Sequence, residues 1–387
     1  MSGIAEFGRR GFVALSVLAL ITLGACAPVA LDAPTAGGAG EPVQVALLVS
    51  SGTGDAGDDA IARSMENAAR LAIADLGATN IDLRVYSAGA SAASGSAAAI
   101  KAADEGADVI LGPLYGEAAN AAAVAVAPKG INVLSFSNNA TIAGGNLFVL
   151  GTTYGSIAGR LASYAVRKGK NNVLIVHANN PSETLGRDAI SQAVTSSGGK
   201  IAGTVAFNFS QNDIINAVPQ ISVKVKSTGA NAVFFTSTTD GAIPFLAELL
   251  PSNGVSSATS QFIGLQRWDI PANAPSLPGL QGGWFAAPDP GLAAQFRARY
   301  TAAYRSVPHS LSGLAYDGIA AIGALVQSGQ GLDVAALTRS SGFAGVNGVF
   351  RLRADGTNQR ALAIMQIQNG AAALLDPAPR DFGSAGF

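Results

Sequence analysis

Histidine and cysteine are nearly absent: a chain of 387 residues carries two of the first and one of the second. A three-ligand metal centre or a Ser-His-Asp device would have to recruit His177, inside an apolar run, or His309, directly after Pro308. No Gly-x-Ser-x-Gly elbow is present either, so the expectation is a protein that binds, with no catalytic residue, metal or cofactor. One cysteine forms no intrachain disulfide. Charge is also scarce and balanced, 24 Lys plus Arg against 25 Asp plus Glu, so no strong field recruits nucleic acid. Stability must come from core, and hydrophobic residues make up 49% of the chain.

What is present begins with Arg9-Arg10 followed by GFVALSVLALITL, residues 11–23, a charged stretch and a short apolar run. The run is too short for a bilayer core, which needs roughly 20 apolar residues. It reads as an export signal, residues 1–25. Leu23-Gly24-Ala25-Cys26 resembles the lipobox of bacterial lipoproteins, which implies lipidation of Cys26. The two arginines fit either a plain positive leader or a twin-arginine signal. Ala27 after the cysteine, under the sorting rules this resemblance implies, favours the outer membrane of a Gram-negative cell. Residues 26–42, rich in Pro and Gly, read as a flexible tether from Cys26.

From Val43 onward an apolar strand, a polar or glycine turn and an amphipathic helix recur. Strand candidates lie at 43–50, 81–87, 107–112, 131–137, 172–178, 231–237 and 261–266. Helices are expected at 90–105, 116–127, 153–168, 183–197, 211–222, 240–250, 291–305 and 310–328. Between the first two strands, Ile61, Met65, Ala68, Ala69, Ala72, Ile73 and Leu76 share one helical face. Near-continuous Val/Ile/Leu strands separated by such helices predict parallel sheets covered on both sides. The alternation pauses at 147–156 and restarts, which predicts an α/β protein of two doubly wound lobes. The first takes 43–150 plus about 287–335, the second 151–286 plus about 336–375, and 376–387 form a tail. The hinge is expected near 150–153, 286 and 335.

Gly52-Thr53-Gly54-Asp55-Ala56-Gly57 satisfies the dinucleotide spacing, but the second strand ends Tyr86-Ser87-Ala88 where a ribose-binding acid should stand. It reads as a glycine-rich turn or a ligand loop.

The stretch ADVILGPLYGEAANAAAVAVAPKGINVLSFSNN (107–139) resembles the first lobe of type I periplasmic binding proteins of the leucine/isoleucine/valine-binding class. LSGLAYDGIAAIGALV (311–326) is similar to that class's Ala-Tyr-Asp helix, and FAGVNGVFRLRADGTNQRALAIMQIQNG (343–370) to its terminal Gly-x-x-Gly hairpin. Within the class, the lipobox, the tether, the Trp-Asp of 265–288 and the Asn-Asn after the fourth strand look most like penicillin-binding-protein activator lipoproteins. The resemblance implies an interlobe ligand cleft and, as partner, a class A penicillin-binding protein; the alternative is an ABC permease receiving an amino acid or similar metabolite.

Strand ends of an open α/β sheet face the crevice. The first lobe would thus offer Ser51, Gly52, Tyr115, Gly116, Ser135, Ser137 and Asn138; the second, Tyr154, Asn179, Asn180, Thr238 and Asp240. The resemblance implies that Ser135 and Ser137 take a ligand carboxylate and Asp240 an ammonium. Asp240 reads equally as a helix N-cap, and the serines and asparagines as turn formers. Trp268 and Trp284 could stack a sugar or simply pack.

Overall fold

Alternate residues of a strand point to opposite faces, and in VQVALLV both faces are apolar. Val45, Leu47 and Val49 enter one buried cluster while Ala46 and Leu48 enter another. The computed structural model describes residues 41–383, so Cys26 and the proposed signal and tether up to residue 40 lie outside it.

Among the described residues the strands form three sheets. In the first, β1 (Val43–Val49), β2 (Ile81–Ser87), β3 (Val109–Leu111), β4 (Asn132–Ser135) and β5 (Leu147–Val149) run parallel in the order β2-β1-β3-β4-β5. The second holds β6 (Asn172–Ala178), β7 (Lys200–Phe207), β8 (Ala232–Phe235), β9 (Gln261–Gly264) and β10 (Trp284–Ala287), also parallel. A small antiparallel sheet of β11 (Phe343–Gly345), β12 (Gly348–Leu352) and β13 (Asn358–Arg360) comes next in sequence. The chain then returns to the second sheet as β14 (Ala363–Gln368) and β15 (Ala371–Asp376), an antiparallel hairpin beside β10.

Helices α1 (Ala56–Leu76), α2 (Ala92–Asp104) and α3 (Gly116–Val126) connect the first strands. Helices α4 (Tyr154–Arg167), α5 (Pro181–Ser196), α6 (Gln211–Thr228) and α7 (Ile243–Ser252) do the same in the second lobe. Helices α8 (Pro290–Tyr304), α9 (Gly313–Gln327) and the short α10 (Val334–Leu337) return to the first. Helix α1 starts where the Asp55 carboxylate accepts from the Gly57 and Asp58 amides, at 2.6 and 3.3 Å. The glycine-rich stretch before it is thus a strand-to-helix turn, with the Gly52 amide donating to Asp59 at 2.8 Å.

Two glycines explain how closely the layers approach. A Cβ on Gly318 of α9 would stand 2.4 Å from Leu111 Cδ1 of β3. Gly112, at φ +96°, ends β3 with a hypothetical Cβ 2.2 Å from the Leu48 carbonyl, so only glycine fits.

The third crossing between lobes differs from the expectation near residue 335. Phe343, Val346, Phe350 and Leu352 are buried with Val45 and Leu314 in the first lobe's core, so 336–360 belong to that lobe and the chain crosses at 361–362. The cause is a buried carboxylate. Asp317 of α9 accepts from the Val346 amide at 2.8 Å and the Asn347 side chain at 3.0 Å, and receives Arg360 Nη1 at 2.7 Å. Arg360 Nε in turn donates to the Leu150 carbonyl at 2.7 Å. The Ala-Tyr-Asp helix and the Gly-x-x-Gly turn are two halves of one contact.

Candidate functional site

Between the strand ends of the two large sheets lies a cleft of about 460 Å³. Its first-lobe wall is Leu114, Phe136, Ser137 and Asn138, with Leu311 and Leu314 at the entry to α9 and Asn347 in the turn that Asp317 holds. The second lobe contributes Tyr154 and Ile157 of α4, Thr238 to Asp240 after β8, Gln266 and Arg267 after β9, and Ala286 to Pro288 after β10. The floor is the hinge itself, Gly151, Thr152 and Leu362.

Five of the twelve expected cleft residues line it together: Ser137, Asn138, Tyr154, Thr238 and Asp240. The other seven do not. Ser135 is fully buried, donates to the Pro113 carbonyl at 2.8 Å and accepts from the Ser137 amide at 3.1 Å, so it braces the loop. Asn180 caps α5 by accepting from the Glu183 amide at 2.9 Å, and Asn179 donates to Asn208 at 3.1 Å. The Ser51 carbonyl receives the Ser87 hydroxyl, and Gly52 is held by Asp59. Tyr115 donates to Asp58 at 2.5 Å. Gly116 opens α3 behind Ser137, whose hydroxyl would lie 3.5 Å from a Cβ placed there.

The N-cap reading of Asp240 fails: α7 begins at Ile243 after Ala242, without a side-chain cap. The Asp240 carboxylate is exposed at the cleft and makes no hydrogen bond or ion pair among the described residues. Arg267, the other charged residue of the lining, is neutralised by a two-pronged contact with Asp269 at 2.8 and 2.6 Å. The uncompensated charge on the cleft wall is therefore a single carboxylate. Apolar surface from Phe136, Ile157, Leu265, Leu311 and Leu314 surrounds it.

An acid outside the cleft positions that loop. Glu183, in the first turn of α5, accepts from the Ala178 amide and from the Thr236 and Ser237 hydroxyls, each at 2.7 Å. These tie the ends of β6 and β8 to each other just before Thr238.

The remaining candidates are structural. His177 is buried in β6 with Nδ1 2.9 Å from the Ala178 carbonyl. Trp268 is wholly buried, and Trp284 packs its indole edge-on to Tyr164 at 5.1 Å, so neither is available to stack on a ligand. Phe136, Thr239, Gln266, Arg267, Leu311 and Leu314 are cleft residues outside the expected set. Gln266 carries a signal as the last residue of an expected strand, and Phe136 and Thr239 carry one by standing between expected site residues.

Tyr115 yields a pH dependence at the cleft margin. Its phenol is raised above the ordinary tyrosine value, first by the hydrogen bond to Asp58 and then by burial and nearby negative charge. The neutral phenol is favoured in the folded loop, so its contribution is complete below pH about 10 and is lost as pH rises through the folded-state pKa. Tyr115→Phe is expected to abolish this part of the alkaline stability loss; unfolding midpoints of both proteins across alkaline pH check it, and superimposable profiles would refute it.

A family model described as periplasmic binding protein matches residues 42–372. No curated protein matches the chain. Among solved structures, a branched chain amino acid ABC transporter periplasmic ligand-binding protein from Burkholderia xenovorans is similar at 18% identity and TM-score 0.68, over 87% of this chain and 96% of that one. An ABC transporter substrate-binding protein from Desulfitobacterium hafniense in complex with Leu gives 18% and 0.63, over 87% and 100%. A solute-binding protein of an ABC transporter from Rhodopseudomonas palustris in complex with 3,4-dihydroxybenzoic acid gives 16% and 0.58, over 88% and 97%.

Proposed function

Because the chain belongs to the periplasmic binding protein family, we propose that it is the substrate-binding component of an ABC importer, closing its lobes on a small ligand with an ammonium group and an apolar body, of the amino-acid class. The observation that carries this reading is the unpaired Asp240 carboxylate in an otherwise charge-neutral, apolar-walled cleft. A charge-assisted bond from a cationic group would satisfy it, while a plain aromatic carboxylate would meet repulsion. Across the cleft, Ser137 and Asn138 offer hydroxyl and amide groups beside the start of α3, which has no side-chain cap. The work is binding: the hinge closes only by as much as the ligand prefers the closed state.

The penicillin-binding-protein activator reading keeps as support only the sequence resemblance. Thermal unfolding in the presence of an amino-acid panel separates the two. A ligand at 100 times its Kd stabilises by about 2.7 kcal/mol, a readily measured rise in Tm. Silence across all common amino acids and their amines sinks the importer reading. In that event, stimulation of glycan polymerisation by a class A penicillin-binding protein on adding this protein would favour the activator.

We further propose that Cys26 carries the lipid that keeps the protein on the periplasmic face of a membrane, with two or more acyl chains for durable anchoring. Cys26→Ser is expected to release the protein from the membrane fraction and end its labelling by a fatty-acid analogue.

A further inference from the structure

Behind the hinge, on the side away from the cleft, is a second cavity of about 700 Å³. The same segments wall both spaces with alternate residues. Tyr154 and Ile157 of α4 face the cleft, whereas Ser156, Gly159, Arg160 and Ser163 line the rear; Leu362 faces the cleft, whereas Asn358 and Arg360 line the rear. Three arginines, Arg160, Arg353 and Arg360, stand in this lining against one acid, Asp355.

Two of these arginines are incompletely satisfied. The side chains of Arg160 and Arg360 are 3% and 2% exposed. Arg160 donates to the Leu362 carbonyl at 2.7 Å and pairs with Asp376, yet its Nη1 is buried without a partner. Arg360 uses Nε and Nη1 on Leu150 and Asp317, yet its Nη2 is likewise buried and unpartnered. Buried guanidinium donors left open are costly, and both nitrogens are closed to the cavity as the side chains stand, so an incoming oxygen reaches them through a shift of the guanidinium groups. Arg353 adds an exposed guanidinium with no side-chain bond or ion pair among the described residues. Neutral hydroxyl and amide groups on Ser163, Gln192 and Thr357 complete a wall with no aromatic surface.

We propose that this rear cavity binds an oxyanion of the phosphate or sulfate type, held by Arg160, Arg353 and Arg360 across the hinge. Guanidinium forks match such oxygens geometrically, and the group would bridge α4 of the second lobe to the β12–β13 hairpin of the first. The site shares no polar residue with the cleft and stands or falls independently of the transport reading.

The test is Tm of the protein titrated with inorganic phosphate, against sodium chloride at matched ionic strength. Phosphate is expected to raise Tm saturably in the millimolar range, and chloride is not. Gly159→Glu places a carboxylate in the lining at a helical position where an added Cβ meets nothing within 4 Å, so the fold is kept. It is expected to weaken phosphate binding by about tenfold or more, and surface-exposed Arg353→Gln by about threefold to tenfold. Glycerol phosphate in a parallel titration separates sources: binding at least as tight as phosphate assigns an ester headgroup, and its exclusion assigns the free ion. Equal Tm in phosphate and chloride, or an undiminished phosphate response in Gly159→Glu, overturns the proposal.

Discussion

Asp317→Ala is expected to lower the stability of the first lobe by about 3–5 kcal/mol, because it takes from the buried Arg360 guanidinium its ion-pair partner among the described residues. Both partners are buried, at 0% and 2% side-chain exposure, and the carboxylate also holds the Val346 amide and the Asn347 side chain. The Gly345–Gly348 turn would lose its anchor, and with it Asn347 in the cleft wall. Asp317→Asn is expected to recover little, since it restores shape without charge. Pairing Asp317→Leu with Arg360→Met should cost less than the sum of the two single changes, because neither buried charge is then left alone. Urea midpoints measure all five variants. A loss below about 1 kcal/mol for Asp317→Ala would show that the pair contributes no more than an exposed one.

Asp240→Asn, in contrast, is expected to leave the ligand-free protein as stable as before, since Asp240 makes no bond within the described residues. Its effect should fall on binding. Hydrogen bonds to a charged group are worth about 1.5–3 kcal/mol, so Kd for the ligand found in the panel should rise roughly 10- to 150-fold. Calorimetric titration of both proteins reads this directly. A change within about twofold would move the ammonium site away from Asp240 and leave the cleft without its assigned counter-charge.

The strand-helix alternation was legible because strands buried on both faces spell unbroken apolar runs, as VQVALLV and NVLIVHA do. KIAGTVAF, which forms β7, was missed for the converse reason: it is an edge strand, half exposed, and its sequence carries no such run. The rule that ligands meet the carboxyl ends of strands brought Ser137, Asn138, Tyr154, Thr238 and Asp240 to one place. It could not tell which polar residue at a strand end serves the backbone instead. Ser135 and Ser137 lie two residues apart and both bond backbone, the first to the Pro113 carbonyl and the second to the Asn139 amide, yet only the second also reaches the cleft wall. Nor does local pattern reveal long-range pairing. The assignment of 336–360 rests on Asp317 meeting Val346 and Arg360, partners 29 and 43 positions away.

The same late segments bear on how the polypeptide matures. Phe343, Phe350 and Leu352 complete the first lobe's interior, and β14 covers the open side of β10 in the second. Without them the first lobe's interior stays open and β10 keeps an unpaired edge, so neither half is complete until residues 343–368 have been made.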